Sequence, residues 1–349
     1  MVLVNNPGTW RAVYPPLRHA EWHGWTPTDL IFPFFLFIVG VAIPLALGRR
    51  LAAEPVTTVL AKIVRRSVVI FALGLLLHAV PSFDLATIRI PGVLQRIAVC
   101  YLVASLVFVW TSWRTQAALA LALLAGYWAA LILVPVPGVG AGHLDPENNL
   151  AAVVDRAVLG RHIWRVARVY DPEGILSTLP AVATTLFGVL AGHWLRAARR
   201  PAETARGLLA AGIVGVVLGE LWGLWFPVNK ALWTSSYAVL TAGAALIGLA
   251  LCYWLAEGLT WRAWTRPFVV LGGNALALFF LSSLVARLLI VIKVHRDSGP
   301  SSLHALLFER LFAPWASPVN ASLGYAIAYL ALWFAVMWLL DRRGIRLTV

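Results

Sequence analysis

The stretch Leu17-Arg-His-Ala-Glu-Trp-His-Gly-Trp-Thr-Pro-Thr-Asp29 runs without a break into the apolar segment Leu30-Ile-Phe-Pro-Phe-Phe-Leu-Phe-Ile-Val-Gly-Val-Ala-Ile-Pro-Leu-Ala-Leu47. An uncharged apolar run of this length is enough to cross a bilayer as a helix. Ionisable groups are costly beside hydrocarbon, so two histidines, a glutamate and an aspartate at the mouth of a span mark a candidate site. Thr26-Pro-Thr-Asp29 reads as the helix start: Thr26 at the cap, Pro27 in the first helical position and Asp29 completing a capping box. Asp29 has a second possible use, orienting a histidine.

The rest of the chain repeats the apolar pattern. Hydrophobic residues make up 60% of the 349 residues and charged residues 12%, with a mean hydropathy of +0.81. A soluble domain carries about 25% charged residues, so the sequence predicts an all-α, polytopic membrane helix bundle in contact with the lipid bilayer. Nine apolar runs are long enough to span, near 30–47, 67–83, 92–110, 116–136, 175–195, 207–226, 232–254, 268–290 and 319–340. The shorter amphipathic stretch 302–315 is expected at the membrane interface. Met1-Val-Leu-Val4 reads as the end of a first helix whose beginning is missing. No composition shift divides the chain, so residues 1–349 are read as a single domain. Apolar helix faces are compatible with a homo-oligomer but do not distinguish lipid from a neighbouring subunit.

The net charge of +13 does not point to nucleic acid, because the basic residues sit in short loops between apolar runs. One set of loops is the richer: Arg49, Arg50, Lys62, Arg65 and Arg66, the stretch 196–206, and the tail Arg342, Arg343 and Arg346. In the other set most basic residues, Arg296 among them, lie in two long connections, where charge says little about orientation. The tail is therefore expected in the cytoplasm and the histidine cluster on the outer side. Cys100 and Cys252 fall inside apolar runs, so neither a disulfide framework nor a cysteine metal site is expected.

Several polar groups break the apolar pattern. His19 and His23 suit acid–base work near neutral pH, or hydrogen bonding to backbone at the interface. Their spacing alone does not make a metal site, and none is expected. Arg96 in the 92–110 run and Glu220 near the end of the 207–226 run would each be costly alone in lipid. A mutual ion pair, or a face on a polar cavity, is the expectation. Asp171-Pro-Glu-Gly174, Asn229-Lys230 with Trp233-Thr-Ser-Ser-Tyr237, and Gly272-Gly-Asn274 stand at the mouths of further runs. His23, Asp29, Arg96, Glu220, Asn229, Lys230 and Asn274 are the candidate substrate-binding residues of one shared outer cavity. No Walker loop, dinucleotide fingerprint or nucleophile elbow occurs in the sequence.

These segments together resemble the heparan-α-glucosaminide N-acetyltransferase family, in particular its bacterial members. The resemblance rests on Met1-Val-Leu-Val-Asn5, His19-Ala-Glu-Trp-His-Gly-Trp-Thr-Pro-Thr-Asp-Leu-Ile-Phe-Pro33 and Phe37-Ile-Val-Gly40. It continues through Arg89-Ile-Pro-Gly-Val-Leu-Gln-Arg-Ile97, Tyr170-Asp-Pro-Glu-Gly-Ile-Leu176 and Pro227-Val-Asn-Lys-Ala-Leu-Trp-Thr-Ser-Ser-Tyr237. It implies an inner-membrane enzyme that takes acetyl from cytoplasmic acetyl-CoA, needs no metal, and delivers it to an amino sugar on the outer side. His19 matches the family's active-site histidine, as general base or acetyl carrier, and Asn5 matches its associated asparagine. The family's opening Asp-x-x-Arg-Gly pattern is absent, and the spacing from Asn5 to His19 is longer than in animal members. The alternative is an amino-sugar transporter, since some bacterial relatives carry that label. No internal repeat of the transporter kind is evident.

Overall fold

The computed structural model describes residues 1–197, 199–295 and 299–347; Arg296 lies outside them. All nine apolar runs fold as helices. A short 3₁₀ turn, Pro27–Leu30, leads into α1 (Ile31–Ala53), followed by α2 (Val56–Ala79), α3 (Val93–Trp110) and α4 (Trp113–Leu133). After α5 (Leu150–Leu159) come α6 (Thr178–Arg196), α7 (Pro201–Gly223), α8 (Ser235–Tyr253), α9 (Arg266–Gly273), α10 (Ala275–Val291), α11 (Leu303–Leu311) and α12 (Pro318–Arg342). Strands Lys293–Val294 and Ser301–Ser302 form a small antiparallel hairpin before α11.

Among the described residues, seven helices are long and apolar enough to cross a membrane, or eight if α9 and α10 form one span bent by 65°. The expectation of about nine complete spans therefore needs correction. The run at 67–83 overlaps only the second half of α2, which ends at Ala79, and the first half of that helix carries Lys62, Arg65 and Arg66, so no stretch of spanning length is free of these charges. The run at 268–290 is broken at Asn274. Met1 to Asn5 form a single turn, closed by the Asn5 N–H to the Met1 carbonyl at 3.0 Å. The expected interfacial stretch folds as α11, which meets α12 through Phe308 and His304 against Tyr325.

The centre of the bundle is α6, with 61% of its apolar window buried against 28% for α7. It packs on α1, α3, α4 and α8. Its approach to α1 is backbone on backbone. A Cβ at Gly40 would stand 2.0 Å from the Thr185 carbonyl oxygen, and one at Gly188 2.0 Å from that of Phe37. Small residues let membrane helices meet this closely and gain dispersion contact where water gives no hydrophobic drive. A second group, α9, α10 and α12, packs around Val270, Leu278, Trp333 and Met337, with Val2 from the first turn between them.

One element escaped the sequence reading. The connection at 137–174 contains α5, started by Asn149, whose side-chain oxygen accepts from the Ala152 N–H at 2.8 Å. It is stopped by Gly160 at φ +53. Both are standard helix punctuation.

Candidate active site

The mouths of α1, α3, α6 and α8 and the end of α7 meet at one end of the bundle. Polar residues from four distant segments converge there, and Asn274 is not among them.

Asp29 is its fixed point. The carboxylate is 1% exposed, yet both oxygens are bonded. Oδ2 accepts from the Ala20 N–H at 3.0 Å and the Thr26 N–H at 3.0 Å. Oδ1 stands 2.6 Å from His19 Nδ1 and 3.2 Å from Lys230 Nζ. A buried carboxylate is tolerable only with such a set of donors. Asp29 thus serves both of its possible uses: the Thr26 bond is half of the capping box, and the other oxygen orients His19. The Tyr237 hydroxyl donates to the Asp29 carbonyl at 2.6 Å, tying the start of α1 to α8.

His19 keeps 41% of its side chain exposed, so its far edge can meet a substrate. Lys230 Nζ lies 2.9 Å from His19 Nδ1. Burial pulls the Lys230 pKa below the ordinary lysine value, opposed by the nearby charge of Asp29. Lys230 is therefore engaged with the His19–Asp29 pair, with 24% of its side chain still exposed. The loop that carries it is built by Asn229. Its side-chain oxygen accepts from the Leu232 N–H at 2.8 Å, and its amide nitrogen lies 3.3 Å from His23 Nδ1. The two loops are stitched by the Gly24 N–H to the Val228 carbonyl at 2.7 Å, with Gly24 at φ +92. Trp233, fully buried, holds a left-handed φ of 50°, a local strain of the kind that gathers at functional sites.

The expected ion pair between Arg96 and Glu220 does not exist. Arg96 is 2% exposed and donates through Nη2 to the Gly174 carbonyl at 3.1 Å and to Ser177 Oγ. Its guanidinium lies over the Trp233 ring, 5.1 Å from the centroid. The start of α6 thus offers two neutral acceptors where a carboxylate of α7 was expected, and Arg96 Nε and Nη1 have no hydrogen-bond partner among the described residues. Glu220 is exposed and accepts from Trp25 Nε1 at 3.0 Å. Asn274 is also misplaced by the sequence reading. It donates to the Ile345 carbonyl and accepts from the Leu347 N–H at 2.7 Å. Those residues follow α12, so Asn274 stands at the far, arginine-rich end. Nor do the described hydrogen bonds join Asn5 to His19. The stretch between them is fastened to α12, by the Gly8 N–H to the Ser322 carbonyl and the Thr9 N–H to Ser322 Oγ, while His19 turns to Asp29.

Sequence reasoning did not single out the neighbouring ion cluster. Arg89 donates to Asp171 through Nε (2.9 Å) and Nη2 (2.5 Å), and through Nη2 to Glu173 (2.5 Å). Burial opposes the Arg89 charge, but Glu173 and Asp171 outweigh it and raise its pKa. Opposite charges in the quoted segments Arg89-Ile-Pro and Asp171-Pro-Glu were the available signal. An aromatic wall adjoins: Tyr170 is edge-on to Trp22 at 4.9 Å and to Trp164 at 6.4 Å. Among the described residues no group of three or more His, Cys, Asp or Glu side chains is arranged to hold a metal ion.

A bundle of long apolar helices that fixes a histidine–carboxylate pair at one end is an integral membrane protein with a candidate acid–base site. The chain belongs to the family described as a domain of unknown function, DUF5009, whose model matches residues 7–189. It is similar to the heparan-alpha-glucosaminide N-acetyltransferases of Mus musculus (28% identical) and Homo sapiens (30% identical), each over 339 residues, with 80% of this chain matched. The match covers 50% of each relative, so the chain spans about half the length of the curated relatives it matches. The relationship expected from the motifs is borne out.

Proposed function

We propose that the chain is a transmembrane acetyltransferase. It takes acetyl from acetyl-CoA at the arginine-rich end, held to be cytoplasmic, and delivers it to the amino group of an amino sugar at the His19 end. The observation that carries this reading is the 2.6 Å contact between His19 and the buried Asp29 carboxylate, on an imidazole that keeps 41% of its side chain exposed. The similarity to enzymes named as N-acetyltransferases supports it.

The chemistry requires a neutral amine. Its lone pair attacks the thioester carbonyl, the new C–N bond forms, the C–S bond breaks and the thiolate leaves. The amine proton goes to His19 Nε2 while Asp29 holds Nδ1–H, a general-base role worth about 10²–10⁴-fold. In the two-step form of the same reaction Nε2 first accepts the acetyl group from the thioester and then yields it to the amine. Glu220, paired with Trp25, and the Trp22–Tyr170 wall are available to sugar hydroxyls and ring faces. The exposed Arg49, Arg50, Arg65 and Arg66 at the opposite end suit the phosphates of CoA. Asn5 enters no step of this reading.

The test uses purified protein in lipid, acetyl-CoA and glucosamine, with His19→Ala beside the wild type. Acetyl transfer that falls about 10²-fold or more in the variant is expected. An inactive wild type that instead moves N-acetylglucosamine across a vesicle membrane would replace the enzyme with the transporter. A burst of acetylated protein separates the two-step route from the direct one.

A further inference from the structure

Three atoms at the centre of the site form a closed triangle. Asp29 Oδ1 is 2.6 Å from His19 Nδ1 and 3.2 Å from Lys230 Nζ, and Nζ is 2.9 Å from Nδ1. Nδ1 offers either one hydrogen or one lone pair in the ring plane. A lone pair there would face the carboxylate oxygen at 2.6 Å, two acceptors in repulsive contact. Nδ1 therefore carries the hydrogen and gives it to Oδ1. An ammonium cannot donate to a protonated Nδ1, so Lys230 donates to Oδ1 instead, and its charge is left beside the imidazole.

The charges then decide the protonation of the ring. Asp29 and Lys230 cancel around a neutral imidazole, whereas an imidazolium would leave one positive charge in excess. The other charged groups facing the triangle do not remove that excess. Glu173 and Asp171 carry two negative charges against the two positive charges of Arg89 and of Arg96 behind Trp233, so that group adds no net charge, and Glu220 is turned to Trp25. His23 is engaged with Asn229, and Tyr237 contributes a neutral hydroxyl.

We propose that Lys230 is a positioning residue: by sharing Asp29 Oδ1 with His19 it holds the imidazole neutral and in the Nδ1–H form, so that Nε2 presents its lone pair to the substrate. This rests on the proposed role of His19 as base or acetyl carrier, both of which need that lone pair.

The test reads the ring directly. Diethylpyrocarbonate modifies neutral imidazole, so peptide-resolved mass spectrometry of the protein in nanodiscs, from pH 5 to 8.5, gives a modification midpoint for His19. Lys230→Met removes the charge and leaves Asp29 to favour the imidazolium. The His19 midpoint is expected to rise by about one pH unit or more, while Lys230→Arg leaves it within a few tenths and the exposed His143 serves as internal reference. If Lys230→Met does not fold, Lys230→Cys gives the same comparison before and after aminoethylation restores the ammonium. A His19 midpoint that stays or falls when the charge is removed overturns the proposal. A midpoint that rises in a protein with no transferase activity sinks the acetyltransferase reading and leaves the role of Lys230 standing.

Discussion

His19 and Asp29 are ten residues apart in the chain and 2.6 Å apart in space, because the turn that starts α1 uses one carboxylate oxygen and leaves the other for the imidazole. Helix capping and orientation of the base are one structure, so they fail together. Asp29→Asn places an amide NH2 among groups that all donate: the Ala20 and Thr26 N–H groups, His19 and Lys230. Acetyl transfer by this variant is expected to fall about 10²–10⁴-fold. Thermal unfolding in detergent should also drop, by about 1 kcal/mol for the lost cap. Full activity in Asp29→Asn would refute the oriented-base reading.

The Arg89 cluster makes a separate prediction about stability. The Asp171 side chain is wholly buried and its charge is balanced by the Arg89 fork. Arg89→Met strands that carboxylate, a loss expected to cost about 3–5 kcal/mol. Arg89→Met combined with Asp171→Asn should recover part of it, because the stranded charge is gone. Melting curves of the two single variants and the double variant give the coupling directly; strictly additive losses would contradict it.

How much of this was legible in the sequence depends on how far each signal reaches. The spans are written in runs of apolar residues, and every run folds as a helix. Local capping around Thr26 and Asp29 is legible for the same reason. What joins Asp29 to Lys230, or Arg96 to Ser177, is packing between segments far apart in the chain, and spacing carries no record of it. Arg96 and Glu220 were each read as costly alone in lipid, but the sequence holds no sign that Glu220 is exposed, or that Arg96 meets a carbonyl, a hydroxyl and a tryptophan face while its Nε and Nη1 go without a hydrogen-bond partner. Asn274 is an interruption in an apolar run, which looks the same whether it faces substrate or the chain's own tail. α5 is too short for its periodicity to stand out, although its caps at Asn149 and Gly160 were visible.

The crossing of α1 and α6 can be probed far from the chemistry. Gly40 and Gly188 bring the two backbones together, and neither has room for a Cβ. Gly40→Ala and Gly188→Ala are each expected to destabilise by about 1–3 kcal/mol through forced separation of the helices. Because α1 carries Asp29 at its start, both should also lower transfer activity without touching a polar group. Unchanged melting in both variants would mean that α1 and α6 do not meet there.

Asp155 supplies a pH signature. It sits in α5 beneath Gly174, 2% exposed, with Oδ1 accepting from the Ile175 N–H at 2.8 Å. Burial, with a smaller push from the Asp171 charge, raises its carboxyl from the ordinary 3.8 to about 6. A carboxyl that binds its proton more tightly when folded adds stability at low pH. That contribution is complete below about pH 3.8 and is lost as pH rises through about 6. Between pH 7 and pH 5 acidification therefore returns on the order of 1 kcal/mol from this group. Asp155→Asn keeps an oxygen for the Ile175 N–H and has no proton to exchange. It should be at least as stable as the wild type at pH 7 and should lose the wild type's extra gain on acidification. Paired melts of wild type and variant at pH 5, 6 and 7 isolate this difference from other titrating groups, and parallel pH dependences in the two proteins would contradict the assignment.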